Sequence, residues 1–400
     1  MRILNVTETY APFYEFGGPP VKIKALAEGL TRDGHEVGVL TTDLGLEARE
    51  YEPPPGVKRE RSPFGWRREE NGVRAIYLPT WFRYRRTSWN PAVGRYCRAR
   101  LTQFDVVHIF GLYDLIGPAV ARACRKFGMP YVIEPIGMYV PIVRNVWLKR
   151  LYHAIVGSRF FAGASAIVAT SEQEVDELRG GGIPDAKIIL RRNGVVMPGR
   201  FPDKGSFRAR AGIPKDALVV LFLGRLSEKK SPRMLLDSFV ALPEFVNGHR
   251  MHLAFVGPDE AGMRSQLREE AGRRGVADRV KVLDALYGDE KWAAYRDSDL
   301  FVLPSQNENF GNTAAEAAAA GTAVVVTEDC GVAEHLRGVA GLAVPHDAEA
   351  LTRAMLRILQ DEDLRAQYGA AGSATAARLG WDGPVLEMEH LYKRLVPSGG

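Results

Sequence analysis

The chain has 400 residues, 46% hydrophobic and 25% charged, with a net charge of +5; this is ordinary globular composition and more than one core usually carries, so two domains are expected. No apolar run reaches the roughly 18 residues of a membrane-spanning helix, and the strand pattern starts at residue 3 without a charged leader, so a cytoplasmic protein is expected. Three widely spaced cysteines, Cys97, Cys124 and Cys330, form no CxxC pair or Cys/His cluster, which argues against a disulfide framework and a structural zinc site.

The opening reads as strand (Arg2 to Val6), loop through Gly17-Gly18, helix (Pro19 to Leu30) and strand (Glu36 to Thr41), with Pro early in the helix and Gly34 after it as start and stop signals. Short, continuous, β-branched runs recur at Val106 to Ile109, Tyr131 to Glu134, Ala166 to Thr170 and Lys187 to Leu190. That pattern suits parallel strands buried on both faces. A second series covers Val219 to Leu223, Met251 to Val256, Val280 to Leu283, Leu300 to Leu303 and Ala323 to Thr327, alternating with helical stretches such as Pro232 to Val240. Two successive βα arrays predict an α/β protein of two Rossmann-like, doubly wound domains. The boundary falls near Val196-Met197-Pro198-Gly199, giving domains 1–198 and 199–380, with a last helix near Pro384 to Leu395 expected to pack back on the first domain.

Three loops carry candidate chemistry. Gly224 to Pro232 follows a strand and opens a helix that Ser231 can cap, which would set Arg225 and Lys230 beside free N–H groups suited to a diphosphate. Pro304 to Glu316 follows the strand Leu300 to Leu303. Gly311 permits close backbone approach there, Asn312 or Thr313 can begin the next helix, and Gly321 ends it. Glu308 in the loop and Glu316 inside an Ala-rich helix could accept hydrogen bonds from sugar and ribose hydroxyls. A carboxylate in so apolar a run needs a partner or a cleft, because burying it unpaired is costly. The third loop, Glu15 to Pro20, holds Gly17-Gly18 at a helix start but is not GxGxxG; read alone it is a plain turn.

Together these elements resemble the family 4 retaining glycosyltransferases of the GT-B fold. The resemblance rests on Gly17-Gly18, Asp105 to His108, Ile167 to Glu172, Asn193-Gly194-Val195, the Gly224-Arg225 to Lys230 loop, Glu308 with Glu316, and Gly331 with Glu334. It implies a nucleoside-diphosphate sugar as donor substrate, bound between the domains with help from Gly17 and Gly18. Arg225 and Lys230 would stabilise the departing diphosphate, Glu308 would orient the sugar and Glu316 would hold the ribose. Asn309, Phe310, Gly311, Asn312 and Thr313 would meet sugar and phosphate, and backbone at Asp284 to Leu286 would line the base. No metal and no cofactor are implied, and no Asp-x-Asp motif occurs in a suitable loop. One position departs: relatives carry a His in a Pro-His-Gly-Met context, whereas this chain reads Pro135-Ile136-Gly137-Met138. Glu134, Tyr139 or His108 would have to substitute on the acceptor side, or the acceptor chemistry differs.

Charge is uneven along the chain. Residues 1–200 hold 29 basic and 20 acidic residues, a net +9, and residues 58–100 alone hold 12 and 3, again +9. Arg83-Tyr84-Arg85-Arg86 lies between Trp81-Phe82 and Trp89, and a second stretch from Arg144 to Phe161 mixes Trp147, Lys149, Arg150, Tyr152, Arg159, Phe160 and Phe161. Both suit peripheral contact with an anionic membrane, where a lipid-linked saccharide could be the acceptor; both are also compatible with a solvated face over packed apolar residues. No motif supports nucleic acid. The function implied is retaining transfer of a hexose-type sugar to a saccharide, lipid-linked or small-molecule acceptor. A GT-B-fold nucleotide-sugar epimerase and a non-catalytic nucleotide-sugar-binding protein remain as alternatives.

Overall fold

The computed structural model describes residues 1–14, 18–43, 58–84, 87–140 and 157–396. The chain divides into two compact units, Met1–Gly194 with Trp381–Gly400, and Val195–Gly380.

The first unit contains β1 (Arg2–Thr7), β2 (Glu36–Thr42), β3 (Lys58–Ser62), β4 (Gly65–Glu70), β5 (Val73–Leu78), β6 (Phe82–Tyr84), β7 (Thr87–Trp89), β8 (Val106–Phe110), β9 (Tyr131–Glu134), β10 (Ala166–Ala169) and β11 (Ile188–Leu190). Nine of them form one sheet in the order β11-β10-β9-β8-β1-β2-β5-β4-β3. The seven strands from β11 to β5 pair in parallel. β4 and β3 add an antiparallel edge. β1 and β8 to β10 are predominantly apolar and buried because helices cover both faces of the sheet, with Asn5, His108 and Glu134 as buried polar exceptions. Their side chains are almost wholly buried, each contributing roughly 1.5–3 kcal/mol for a Val, Leu or Ile.

The antiparallel edge did not announce itself in the apolar pattern. β3 is Lys-Arg-Glu-Arg-Ser, and β4 buries only Trp66 and Arg68, with Trp66 stacked on Tyr77 at 3.7 Å. About half of the basic stretch of residues 58–100 is therefore a sheet edge.

The second unit holds β12 (Leu218–Leu223), β13 (Phe245–Val246), β14 (His249–Val256), β15 (Val280–Leu283), β16 (Leu300–Leu303), β17 (Ala323–Thr327) and β18 (Gly341–Val344). Its parallel strands run β15-β14-β12-β16-β17-β18, with β13 forming a short hairpin with β14. In chain order this is 3-2-1-4-5-6, the doubly wound arrangement whose direction of winding reverses between β12 and β16. The α/β class with two parallel-sheet domains is as the sequence predicts.

The helix Asp382–Leu395 belongs to the first unit, where Val385, Met388, Leu391 and Tyr392 are buried. It crosses the helix Gly18–Arg32 at Gly29, where an added Cβ would lie 2.4 Å from Val385 Cγ2. Beneath it sits an enclosed polar network. Glu134, at the end of β9, has no exposed surface and lies between Lys22 Nζ and Arg191 Nη2, the latter at 2.5 Å. His108 Nε2 lies 3.6 Å from the same carboxylate, and its Nδ1 shares a 2.7 Å hydrogen bond with Tyr392 OH.

Burial favours the neutral form of Glu134, but Arg191 and then Lys22 outweigh it and hold the carboxyl at about 2. Burial pushes His108 down to about 3, so it is neutral in the folded protein. Removing the anion strands two buried cations, so Glu134→Gln should cost about 3–5 kcal/mol in urea unfolding. Both groups bind protons more readily when unfolded. The Glu134 contribution is present above its ordinary 4.5 and is lost as pH falls towards 2. The His108 contribution is lost as pH falls from its ordinary 6.5 towards 3. Unfolding free energy should fall as pH drops from about 6.5 to about 4, and His108→Gln should flatten the decline; an unchanged slope would contradict the enclosed imidazole.

Candidate functional site

In the second unit the loops after β12 and β16 leave the sheet on either side of the reversal point, where the crevice of a doubly wound sheet lies. Gly224 and Gly257, both at positive φ, end β12 and β14 so closely that a Cβ on Gly257 would lie 1.8 Å from Gly224 O. Only glycine fits there. Gly224 N donates to Val256 O (2.9 Å) and Leu226 N to Pro258 O (2.9 Å), which fixes the start of the basic loop.

A short 3-10 turn, Glu228–Lys230, follows, and then the helix Pro232–Val240. Ser231 does not cap this helix with its side chain as the sequence suggested. It adopts a left-handed conformation, and its hydroxyl pairs with His346 Nε2 at 2.9 Å. The turn instead aims Lys230 at the neighbouring loop, where its ammonium pairs with Glu308 Oε2. Gln306 N donates to Lys229 O at 2.9 Å, so the two loops are also joined through backbone. Arg225 stands on the same loop and is partly exposed, 3.5 Å from Glu260 Oε2.

The Glu308 loop is held from its far side. Glu308 N donates to Asp329 O (2.9 Å), and Gly331 N and Val332 N donate to Glu308 O and Phe310 O (2.9 and 2.6 Å). Gly311, with φ of 95°, turns the chain into the helix Asn312–Ala319. The first amides of that helix have no intrahelical acceptor. Beside them Asn312 Oδ1, Thr313 Oγ1 and Ser305 Oγ are buried polar atoms without a hydrogen-bond partner among the described residues.

Glu316 lies on the same helix with its side chain 10% exposed. Lys291 Nζ donates to Oε1 (2.7 Å) and Tyr295 OH to Oε2 (2.8 Å). Burial first, and then the adjacent Glu316 charge, raise Tyr295 well above its ordinary value, so it stays a donor. Each carboxylate oxygen accepts more than one bond, so capacity remains for a ligand hydroxyl. The sequence reading found Glu316 but not Lys291 and Tyr295. The available signal was their i, i+4 spacing on the preceding helix Gly288–Arg296.

Of the other candidates in this unit, Asn309 is half-buried, while Phe310 and Leu286 are buried. Asp284 is largely exposed and pairs with Arg264 Nη1 at 2.5 Å, and Arg264 Nη2 donates to Gly257 O at 3.1 Å. A separate groove lined by Asn247, Arg353, Arg357 and Gln360 lies by the β13–β14 turn, at the opposite strand ends from these loops.

In the first unit, Gly18 is the first residue of its helix, and Gly17 lies outside the described residues. Glu134 and His108 are enclosed with no exposed surface. Tyr139 is half-buried and donates to Gly181 O at 3.1 Å. Ile136 has φ of 56°, a left-handed conformation rare for a β-branched side chain. Such strain collects at functional sites. Gly137 N, next to it, donates to Glu174 Oε1 at 2.6 Å. Of the basic aromatic stretch 144–161, Arg144, Trp147, Lys149, Arg150 and Tyr152 lie outside the described residues. Phe160 and Phe161 are core residues and not part of a surface patch.

Two family models match the chain: a glycosyl transferase 4-like domain over residues 17–194 and glycosyl transferases group 1 over residues 203–375. A D-inositol 3-phosphate glycosyltransferase of Actinosynnema mirum is 31% identical over 387 residues, spanning 92% of this chain and 89% of the relative. Among solved structures, the sucrose-phosphate synthase of Thermosynechococcus elongatus superposes over the full length of both chains with a TM-score of 0.76 at 21% identity. The Anabaena protein HepE in complex with UDP-glucose does so over both full chains with a TM-score of 0.73 at 18% identity.

The Glu316 contacts make a stability prediction. Tyr295→Phe and Lys291→Met each remove a donor from a nearly buried carboxylate and should each lower unfolding free energy by about 1–3 kcal/mol. The double variant should depart from the sum of the two, because they share one partner. Two neutral single variants would show that the carboxylate is not held in this way.

Proposed function

The chain belongs to the group 1 glycosyltransferases of the GT-B fold, and on that premise we propose that it transfers a hexose-type sugar, with retention, from a nucleoside-diphosphate sugar to a saccharide, lipid-linked or small-molecule acceptor. The observation that carries this reading is the pairing of Lys230 with Glu308, with Arg225 on the same loop as Lys230, at the strand ends of β12 and β16, where the winding reverses. HepE, of the same fold, was solved with UDP-glucose, which makes that donor the first to try.

In this reading the Arg225 fork and the Lys230 ammonium bind the diphosphate. As the bond from the sugar to the diphosphate breaks, negative charge grows on the leaving group. Fixed cations beside it stabilise the transition state more than the ground state. Glu308 then accepts from a sugar hydroxyl, and its pairing with Lys230 sets the distance between sugar and diphosphate subsites. Glu316, oriented by Tyr295 and Lys291, accepts from the ribose. The helix-start amides at Asn312 and Thr313, with their unpartnered Oδ1 and Oγ1 atoms, supply donors and acceptors to the sugar and phosphate.

On the acceptor side, an Ile at position 136 means that this residue moves no proton. The enclosed Glu134 and His108 supply none either, so Tyr139 is the acceptor-side candidate that retains partial exposure. The related inositol-phosphate and sucrose-phosphate enzymes have phosphorylated sugar-like molecules in their names, and we extend the acceptor class here to phosphorylated polyols and sugars.

The test combines binding and turnover. UDP-glucose at 100 times its dissociation constant should stabilise the protein by about 2.7 kcal/mol, read as a thermal shift. Lys230→Met and Glu308→Gln should each lower donor turnover about 10²- to 10³-fold. If no nucleotide sugar shifts the midpoint or is turned over, and neither substitution alters donor binding, the proposal fails.

A further inference from the structure

β6 and β7 form a two-stranded hairpin that, among the described residues, joins neither large sheet. Its registry sets Phe82 opposite Trp89. Trp81 meets Trp89 edge to face at 6.2 Å. Trp81, Phe82 and Trp89 are 71%, 63% and 52% exposed respectively, and Trp81 and Phe82 are the two most exposed large hydrophobic residues among those described. The opposite side of the hairpin is tied down. Ser88 N and Oγ both donate to Glu8 Oε1 (2.9 and 2.7 Å), Thr87 Oγ1 donates to Tyr113 O (3.0 Å), and Asn90 Nδ2 donates to Pro79 O (3.0 Å).

A buried, hydrogen-bonded inner face beneath an aromatic outer face is a fixed presentation of Trp and Phe to the outside. A contiguous exposed apolar patch of this kind marks an interaction surface. The surrounding charge identifies the partner. Residues 79–100, which span the hairpin and the helix after it, carry six basic and no acidic residues. The helix Ala92–Arg100, which follows the hairpin, exposes Arg95, Arg98 and Arg100, and none of these three has a carboxylate within ion-pair distance among the described residues. Trp favours the boundary between headgroups and acyl chains, and arginines near an anionic surface add electrostatic attraction. No helix among the described residues is long and apolar enough to cross a membrane, so any bilayer contact by these elements is made at the surface.

We propose that the β6–β7 hairpin is a membrane-docking element that inserts Trp81, Phe82 and Trp89 into the interface of an anionic bilayer. This goes beyond the sugar-transfer reading and does not depend on it. Docking here would bring the first unit to a surface where lipid-linked acceptors reside.

The experiment is sedimentation of the full chain with vesicles of phosphatidylglycerol and phosphatidylcholine, compared with vesicles of phosphatidylcholine alone. The wild type should bind the anionic vesicles and be released by salt. Trp81→Ser with Trp89→Ser should weaken that binding at least about tenfold, with an unchanged circular dichroism spectrum and melting midpoint. Trp81→Phe with Trp89→Phe should retain most of it. As a measurement independent of any variant, brominated lipids should quench part of the wild-type tryptophan emission. Absence of vesicle binding, absence of quenching, or equal binding by the folded serine variant overturns the proposal. So does concentration-dependent self-association that the serine variant abolishes while vesicles remain unbound, which would assign the hairpin to a second copy of this chain.

Discussion

Parallel pairing of β12 with both β14 and β16 is the constraint on which the candidate site depends. Strands buried on both faces have no room for polar side chains along their length, so chemistry is pushed to the strand ends. At the boundary between β12 and β16 the crossovers turn in opposite directions, which is where ligands of doubly wound sheets bind. The close approach of Gly257 to Gly224 and the left-handed Gly311 set where each loop leaves its strand. The position of Arg225, Lys230 and Glu308 follows from that backbone geometry before any side-chain contact is considered.

Two glutamates illustrate how one physical rule leads to different outcomes. Glu316 and Glu134 both sit among apolar residues, and each is supplied with opposite charge, as a desolvated carboxylate requires. Glu316 receives one lysine and one neutral hydroxyl and keeps a margin of exposure. Glu134 is enclosed by Lys22, Arg191 and His108, and through Tyr392 the network reaches the C-terminal helix. The first arrangement leaves acceptor capacity for a ligand, whereas the second spends its capacity on joining β8, β9, the residue after β11 and two helices of one unit.

The basic stretch shows the same dependence on surroundings. Its first half becomes an antiparallel sheet edge, with Trp66 turned inward onto Tyr77 and Arg68 buried beside Glu70. Its second half becomes a hairpin with the aromatics outward and Ser88 inward. Phe160 and Phe161 show the converse, since residues that composition places in a surface patch fill the core. Composition counts charges and rings, but strand registry assigns them to a face.

The amino-acid sequence alone determined the α/β class, the two parallel arrays, the family, and the two loops that hold Arg225, Lys230, Glu308 and Glu316. Those features are local: a strand is recorded in a run of β-branched residues, and a loop in the glycines and polar residues at its end. Only the tertiary structure decided that Lys230 meets Glu308 across 78 residues, that Tyr295 and Lys291 hold Glu316, that Ser231 turns to His346, and that His108 and Glu134 are sealed within a buried network. Each of these depends on which strands become neighbours, and parallel strands are joined through crossovers of a dozen or more residues. The identity of a residue therefore states what partner it needs, while the order of strands in the sheet decides which partner it meets.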